Sequence, residues 1–540
     1  MQTMRLQELE MGLYIYRILS SYTKNRKLSV SKPIFTFLSF TIKLSGSSFV
    51  TNTYSLHMPP SVQLKNQHLL WRAGFGSASE QWNQLDKTSP HKFYDALEKA
   101  SRREPMPFKL VDNVIEGLMN GVDGIRRTEM TKEERQELQK KSRAEIRNLN
   151  LEWLDEMVNS EQQLREKMAF FWHGHFACRN LNALHQQELI NVIRKNALGN
   201  FSTMLKEVSR SAAMLAFLNN QQNRKQKPNE NFAREVMELF TMGRGNYTEM
   251  DIKEAARAFT GWQFKLNGEF IFRENLHDDG SKTILGKTGN FDGDDVLEIL
   301  LQQKQTAYFL TQKIYRFFVN ENADEQKVKQ LAEQFYKSGY DISALMRSIF
   351  TADWFYEEKN IGTKIKSPIE LMAGIRRSLP MELALPEAQL YLQKILGQIL
   401  FYPPNVAGWP GGKNWIDSSS LMFRMRLPQL LATKEAFNIK AKSDDDQEMG
   451  KMQDDKQPIK NKKVTGRIIE TTINWNKTYK QLEKISRDQL LSNITTLLWQ
   501  VNPQKGNREL VEKFTEAASR ERYIQTAVIY LMCTPEYQMC

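Results

Sequence analysis

The chain of 540 residues exceeds the size at which a single hydrophobic core stops growing, so its length predicts two or three domains. With 41% hydrophobic, 10% aromatic and 26% charged residues, the composition is that of a globular protein and excludes bulk disorder. The net charge of +12 would permit contact with nucleic acid, but no basic face recurs at helical spacing, so nucleic-acid binding is not expected. Three cysteines without a C-x-x-C pair exclude a disulfide framework and favour free thiols.

Residues 1–57 show neither a helical nor an alternating pattern, and patterned sequence begins at Met58 with "MPPSVQLKNQHLLWRAGFG". This favours Met58 as the true start and residues 1–57 as a non-native or disordered extension. The rival interpretation is a secretory signal formed by "KNRKLSVSK" and "PIFTFLSFTI", against which Lys43 and the lack of an A-x-A site count. No stretch reaches the roughly 18 to 20 apolar residues of a membrane span. We expect no transmembrane segment and favour the cytoplasm over export or the periplasm.

Residues 58–437 read as a main helical domain with short polar loops. In "SEQQLREKMAFFWHGHF", Ser160 and Gln163 suggest a capping box. The apolar face of this helix then repeats at helical spacing through Leu164, Met168, Phe171 and His175. In "YTEMDIKEAARAFTGW", Thr248 is the expected N-cap with Asp251 at the third helical position, and Gly261 ends the helix.

Residues 264–292 break the helical pattern, because short β-prone runs alternate with N-G and D-G turns. We expect a small β-hairpin insertion there. Helices resume after it, and residues 438–465 combine charge runs with few large apolar side chains, which predicts a flexible linker. Residues 466–540 form a C-terminal helical segment, either a small domain or the last helices of the main one. The predicted fold class is mainly α.

The first candidate site is the pair His173 and His175 in "FWHGHF". In a continuous helix their side chains point about 200° apart and cannot share one ion without a break at Gly174. The simpler interpretation makes His175 a buried histidine with a paired nitrogen. The functional interpretation makes His173 a general base, or His173 and His175 metal ligands in a polar pocket.

The second candidate is "KPNENFAREVMELFTMGRGNYT", which places Glu230, Arg234 and Glu238 four residues apart. Such a row is usually a salt-bridged surface, each pair contributing about 0.2 to 0.5 kcal/mol. The functional interpretation takes Arg234, Glu235 and Glu238 as catalytic residues, Glu235 also as a metal ligand, and Asn231 as ligand-binding. Carboxylates near a histidine commonly act as general acids or bases or as ligands of a divalent metal.

The third candidate is the loop "LHDDGSKTILGKTGNFDGDDV", where His277 precedes a tight turn at Gly280. His277 is a candidate catalytic residue, and Arg257 in the preceding helix a candidate ligand-binding residue. The simpler interpretation is ordinary turn chemistry followed by an Asp N-cap. The run "DGD" lacks the spacing and terminal Glu of a calcium loop.

The fourth candidate is "FYPPNVAGWPGGKNWIDSSSL", a loop shaped by prolines and glycines that carries Asn405, Trp409 and Trp415. These three are candidate ligand-binding residues, because a tryptophan beside polar groups suits stacking on a flat or sugar-like ligand. The alternative interpretation is that both indoles fill the core, as aromatic side chains more often do.

These stretches stand within a longer series of motifs, which in order reads "HLLWRAGFG", "LREKMAFFWHGHF", "NALGNF", "PNENFAREVMELFTMGRGNYTEMDIKEAARAFTGW", "HDDGSKTILGKTGNFDGDDV", "KSPIEL" and "FYPPNVAGWPGGKNWI". The series closely resembles the bacterial family called domain of unknown function 1800 over roughly residues 64 to 430, and "TPEYQ" resembles the tail of that family. The resemblance implies an envelope-associated setting and a partner from the family called domain of unknown function 1501. Trp71 departs from the basic residue that many relatives have there.

Two functions remain open. The first is a metal-assisted hydrolase, in which His173, His175, His277 and the carboxylates converge on a divalent metal. The second is a non-catalytic helical binding or assembly protein of an envelope-associated system. The chain lacks G-x-G-x-x-G, G-x-x-x-x-G-K-[ST], G-x-S-x-G and H-E-x-x-H, which leaves dinucleotide-binding, P-loop, classical hydrolase and zincin functions without support.

Overall fold

Helical periodicity dominates the structure, a computed structural model that describes residues 60–111, 131–265, 267–433, 469–501 and 508–540. Within these ranges the chain is mainly α-helical, and the predicted fold class is confirmed. The predicted extension before Met58 and the predicted linker at 438–465 lie outside the described residues. None of the described helices combines the length and the apolar character that a bilayer crossing requires.

Helix starts in the first half follow the capping preference for small polar residues. Ser61 Oγ accepts a hydrogen bond from the Leu64 amide, and Thr248 and Asp251 form the predicted capping box. The helices of this half are α1 (Val62–Arg72), α2 (Pro90–Ser101), α3 (Lys132–Asn159), α4 (Gln163–His175), α5 (Ala183–Asn196), α6 (Phe201–Arg210), α7 (Ala212–Phe217), α8 (Glu230–Glu235) and α9 (Glu249–Ala258).

Helices continue through the second half, again mostly with polar caps. Ser367 and Glu370 form a capping box at one of these starts, with Pro368 at the first helical position. The helices are α10 (Gly293–Leu301), α11 (Lys304–Phe318), α12 (Glu325–Lys337), α13 (Ile342–Phe350), α14 (Pro368–Ser378), α15 (Ala388–Leu396), α16 (Ser418–Thr433), α17 (Trp475–Leu482), α18 (Arg487–Leu498), α19 (Arg508–Phe514) and α20 (Arg520–Met532).

The capping box predicted at Ser160 and Gln163 is wrong. Helix α4 begins at Gln163 with Gln162 as its N-cap, and no side chain caps it. The Gln163 amide instead donates to the carbonyl oxygens of Met157 (3.0 Å) and Ser160 (2.9 Å). Tertiary packing explains the difference, because Gln163 is buried and its amide satisfies the backbone of the preceding turn.

Helix α4 is buried on all sides, which makes it the centre of the fold. Every residue from Gln163 to His173 is buried, and the polar ones among them are paired. Glu166 binds Arg194 at 2.8 Å and accepts a hydrogen bond from the Trp153 indole at 2.9 Å. A helix surrounded by protein can carry charges only where each has a partner, and α4 meets that condition here.

Short antiparallel pairs supplement the helices. The predicted insertion at 264–292 contains two hairpins instead of one, and the first begins earlier, at Trp262. Gly268 and Gly286, with φ of 90° and 79°, allow the two turns. A third pair joins strands distant in sequence. The strands are β1 (Trp262–Phe264) with β2 (Phe270–Phe272), β3 (Lys282–Ile284) with β4 (Lys287–Gly289), and β5 (Met381–Leu383) with β6 (Thr471–Ile473).

The C-terminal helices pack onto the rest of the chain. Helix α20 packs against α16 and α18, and β6 pairs with β5 from the preceding part of the chain. Ile469, Leu490 and Leu531 belong to the same hydrophobic core as Leu69 and Phe171. Residues Ser61–Cys540 therefore form one compact unit.

Candidate functional site

The first feature of the site is a hydrogen bond between His173 at the end of α4 and a strained residue, Phe401. The Phe401 amide donates to His173 Nε2 at 3.2 Å. Phe401 has φ of 69°, in the left-handed region that a bulky side chain rarely adopts. Burial lowers the pKa of His173 to about 3, so the ring is neutral and its Nε2 lone pair is occupied by the Phe401 amide.

Residues 402–416, here called the Trp409 loop, lie directly over the end of α4. Gly408 has φ of 84°, and a Cβ there would lie 2.5 Å from the carbonyl oxygen of Gly174. The half-buried Trp409 ring packs against the His173 ring with 5.3 Å between centroids. The structure thus brings the first and fourth predicted clusters together.

The other predicted residues of this loop differ in exposure. Asn405 is exposed, and its side-chain oxygen accepts a hydrogen bond from the Ala407 amide at 2.9 Å. Trp415 is buried, and its role in binding a ligand stays a prediction. Of the two predicted tryptophans, Trp409 alone is left with a partly accessible surface.

Helix α3 supplies cations beside the Trp409 loop. Arg143, Arg147 and Asn150 lie on one stripe of α3, at spacings of four and three residues. Asn150 anchors this stripe, because its amide donates to the Leu400 carbonyl at 3.1 Å. The two arginines therefore run along α3 beside Tyr402, the first residue of the loop.

A third arginine completes the group. The Arg179 guanidinium lies 5.9 Å from the centroid of the Tyr402 ring. Burial raises the pKa of Tyr402, while the positive charges of Arg147, Arg179 and Arg143 oppose that shift. We call Arg143, Arg147, Arg179 and Tyr402 the arginine patch.

His175 faces a different element from His173. Its Nε2 lies 3.2 Å from the Phe240 carbonyl oxygen, so Nε2 carries the proton and donates. Phe240 belongs to a π-helix (Val236–Thr241) that follows α8, a rare geometry found often at functional sites. Burial, with the positive charge of Lys313, lowers the pKa of His175 well below its ordinary value. Helix α4 runs through Gly174 unbroken, so the two rings have separate partners.

The charge row of the second cluster is ion-paired at the surface. Arg234 binds Glu230 at 3.1 Å, and Glu238 binds Arg244 at 2.6 Å. The Tyr247 hydroxyl also donates to Glu238 at 2.6 Å. These contacts account for Arg234 and Glu238 without a ligand.

Glu235 is the exception in that row. It is half-buried and forms no hydrogen bond or ion pair with any described residue. Burial, with the negative charge of Glu238, raises the pKa of Glu235. Asn231 is exposed, and its backbone N–H donates to the side-chain oxygen of the N-cap residue Asn229 at 3.0 Å. Within the described ranges, no hydrogen bond or ring contact joins Glu235 to His173.

The third predicted cluster forms a separate group of hydrogen-bonded side chains beside the second hairpin. His277 is buried, and its Nδ1 lies 2.9 Å from the Thr260 carbonyl oxygen. Arg257 donates to Asp278 at 2.8 Å and to Glu254 at 2.9 Å. These bonds tie α9 to the loop after it, and no contact between described residues joins His277 to His173.

Metal coordination needs several ligands around one point. In the described ranges, no group of three or more His, Cys, Asp or Glu side chains is arranged to hold a metal ion. His173, His175 and Glu235 each contact different neighbours. Their role as ligands of a divalent metal therefore remains a prediction.

Two groups of residues in the structure were not among the candidate sites predicted from the sequence. One is the arginine patch, whose signal was the spacing of Arg143 and Arg147 in "RAEIR". The other is a buried ionic cluster: Lys167 binds Glu370 at 2.5 Å, and Lys364 binds the same carboxylate at 3.1 Å. Its signal was a lysine and a glutamate inside the otherwise apolar segments "KMAFFW" and "PIELM".

Lys366 extends this cluster to Trp71. The Lys366 ammonium lies 3.7 Å from the Trp71 ring centroid and 3.8 Å from that of Tyr537. Burial lowers the pKa of Lys366 to about 7. The Lys167 ammonium also donates a hydrogen bond to the Trp71 carbonyl oxygen at 3.1 Å. Through these contacts the cluster connects α1, α4 and α14 to the turn that contains Tyr537.

Comparison with known proteins gives a family for the chain and little else. A search of curated proteins and a search of solved structures each found no match. The family model described as "Protein of unknown function (DUF1800)" matches residues 68–539, which is most of the chain. The match covers α4, the Trp409 loop and the arginine patch. The chain therefore belongs to the DUF1800 family.

Proposed function

We propose that this protein is a non-catalytic binding protein that holds an anionic group of its ligand at the arginine patch. The observation that carries the proposal is the cluster of Arg143, Arg147 and Arg179 around Tyr402, in which the Arg179 guanidinium lies 5.9 Å from the Tyr402 ring centroid. Guanidinium groups donate in a planar fork that matches carboxylate, phosphate and sulfate oxygens. A cluster of guanidinium groups attracts such an anionic group.

Two polar atoms of the patch are suited to donate to the ligand. Arg143 Nε is buried and has no hydrogen-bond partner in the part of the chain that the structure describes. Buried donors are normally paired, so an acceptor at this position would satisfy it. Burial keeps the pKa of Tyr402 above its ordinary value, so its hydroxyl is protonated at neutral pH and can donate.

The loop beside the patch is held in place before any ligand arrives. His173 fixes the strained backbone at Phe401, and Gly408 packs on Gly174. A site held rigid in this way loses less conformational entropy on binding. The neutral, backbone-bonded His173 supports a positioning role over acid/base catalysis.

The metal-assisted hydrolase remains a second candidate on account of Glu235. A half-buried carboxylate with a raised pKa and no described partner is a common feature of catalytic sites. Elemental analysis of the purified protein tests it, since a stoichiometric divalent metal would support the hydrolase. A partner from the domain of unknown function 1501 family, an envelope association and a cytoplasmic location also remain predictions.

Calorimetric titration with sodium phosphate tests the binding proposal. We expect Arg143→Gln to weaken phosphate binding about tenfold or more, because a charged hydrogen bond contributes roughly 1.5 to 3 kcal/mol. Affinity should also fall as sodium chloride is raised. The matched control is Arg316→Gln, which changes an exposed arginine on α11. Equal affinity of wild type and Arg143→Gln would refute the proposal.

A further inference from the structure

A groove between α12 and α13 lies among residues that none of the predicted clusters includes. Its volume is about 250 Å³. This is slightly below the range of about 300 to 1,000 Å³ that is common for small-molecule sites, so the groove suits a ligand no larger than about one ring. It is lined by Lys327, Gln330, Leu331, Gln334, Ser348 and Trp354.

Trp354 supplies a fixed aromatic surface. Its ring is half-buried and stacks on Tyr315, with 5.9 Å between centroids and 18° between the planes. The Trp354 carbonyl oxygen accepts a hydrogen bond from the Asn360 amide at 2.8 Å. Because stacking and this bond hold the residue, the rest of the indole is a rigid platform at the groove.

Two amides stand beside this platform. Gln330 and Gln334 are one helical turn apart on α12, so their side chains lie on one face. Both are exposed, and neither side chain has a hydrogen-bond partner among the described residues. Each amide can donate and accept, and Ser348 Oγ, which donates to the Ala344 carbonyl at 3.0 Å, can still accept.

The charge of the groove is balanced. Lys327 is the cation of its lining, and Asp324 binds it at 2.7 Å. Lys327 Nζ lies over the Trp354 ring, 5.7 Å from its centroid, so a ligand that stacks on the indole also contacts the Lys327 side chain. A ligand therefore meets mixed donors and acceptors with little net charge, which distinguishes this groove from the arginine patch.

We propose that this groove binds one neutral pyranose ring, the apolar face of which stacks on Trp354 while its hydroxyls bond to Gln330, Gln334 and Ser348. Sugar hydroxyls both donate and accept, as these side chains do. The aromatic platform suits the C–H face of such a ring. This site uses none of the residues of the arginine patch and stands independently of the proposed function.

Tryptophan fluorescence and calorimetry of the full chain test this site. The probes are methyl α-D-glucopyranoside, methyl β-D-galactopyranoside and N-acetylglucosamine. We expect at least one to bind, Gln334→Ala to weaken it roughly three- to tenfold, as loss of one neutral hydrogen bond would, and Trp354→Ala to weaken it further. Gln326→Ala, an exposed glutamine one turn away on α12 and outside the lining, should leave the affinity unchanged.

Three outcomes overturn the proposal. The first is that none of the three sugars binds the wild-type protein. The second is that Gln334→Ala, an exposed substitution that leaves folding intact by circular dichroism, binds as well as wild type. The third is that sodium phosphate displaces the sugar and Lys327→Gln abolishes that competition, which would make the groove an anion site.

Discussion

At the scale of single residues, the two histidines of α4 are buried groups whose protonation opposes folding. Burial lowers the pKa of His173 to about 3, against about 6.5 for an exposed histidine in the unfolded chain. Below pH 6.5 the His173 side chain is therefore protonated in the unfolded state but stays neutral in the folded state. The stabilisation by neutral His173 is complete above pH 6.5 and declines as the pH falls.

This sign gives a pH-dependent prediction. Between pH 6.5 and 5, the free energy of unfolding should fall, with His173 contributing up to about 1.4 kcal/mol per pH unit. His173→Gln should reduce the slope, since glutamine does not titrate. Urea denaturation at several pH values measures it. Burial raises the pKa of Glu188 to about 7, so Glu188 makes the free energy of unfolding rise as the pH falls. This effect is the same in the wild type and in His173→Gln, so the difference between their two slopes is the contribution of His173. Identical slopes would contradict the assignment.

At the scale of elements, local sequence predicted helices well and loop placement poorly. The cap at Thr248 and the apolar repeat of α4 depend on residues a few positions apart, so both could be predicted from the local sequence. The capping box at Ser160 failed because tertiary contacts took the Gln163 amide. The contact of Trp409 with His173 joins residues far apart in sequence, and no local pattern encodes it.

The close approach of two glycines gives a prediction for the Trp409 loop. Gly408→Ala should destabilise the fold by roughly 1 to 3 kcal/mol, because alanine is strained at φ of 84° and its Cβ would meet the Gly174 oxygen. Phosphate binding at the arginine patch should weaken with it. Urea denaturation and calorimetry measure both effects.

Gly411→Ala is the matched control for that substitution. It lies in the same loop, but a Cβ there meets no heavy atom within 4 Å. We expect little change in either stability or phosphate affinity. If both alanine variants behave alike, the contact between Gly408 and Gly174 does not position the loop.

At the scale of the whole molecule, the buried ionic cluster shows why the core was harder to predict than the helices. Lys167 and Glu370 stand in the segments "KMAFFW" and "PIELM", which otherwise read as apolar, and their pairing depends on α4 meeting α14. Burial alone would raise the pKa of Glu370, but the charges of Lys167 and Lys364 hold it below its usual value. The carboxylate is therefore ionised, and its removal leaves two buried cations without their anion.

A double-mutant cycle on this pair tests the cluster. Glu370→Gln alone should lower the free energy of unfolding by about 3 to 5 kcal/mol, because it leaves buried Lys167 uncompensated. Lys167→Met alone should cost less, since Lys364 still binds Glu370 at 3.1 Å. The double variant should be less destabilised than the sum of the two single variants, with a coupling of roughly 1 to 3 kcal/mol measured by urea denaturation. Additive effects would mean that the ion pair does not join α4 to α14 energetically, and that apolar packing alone holds the centre of the molecule together.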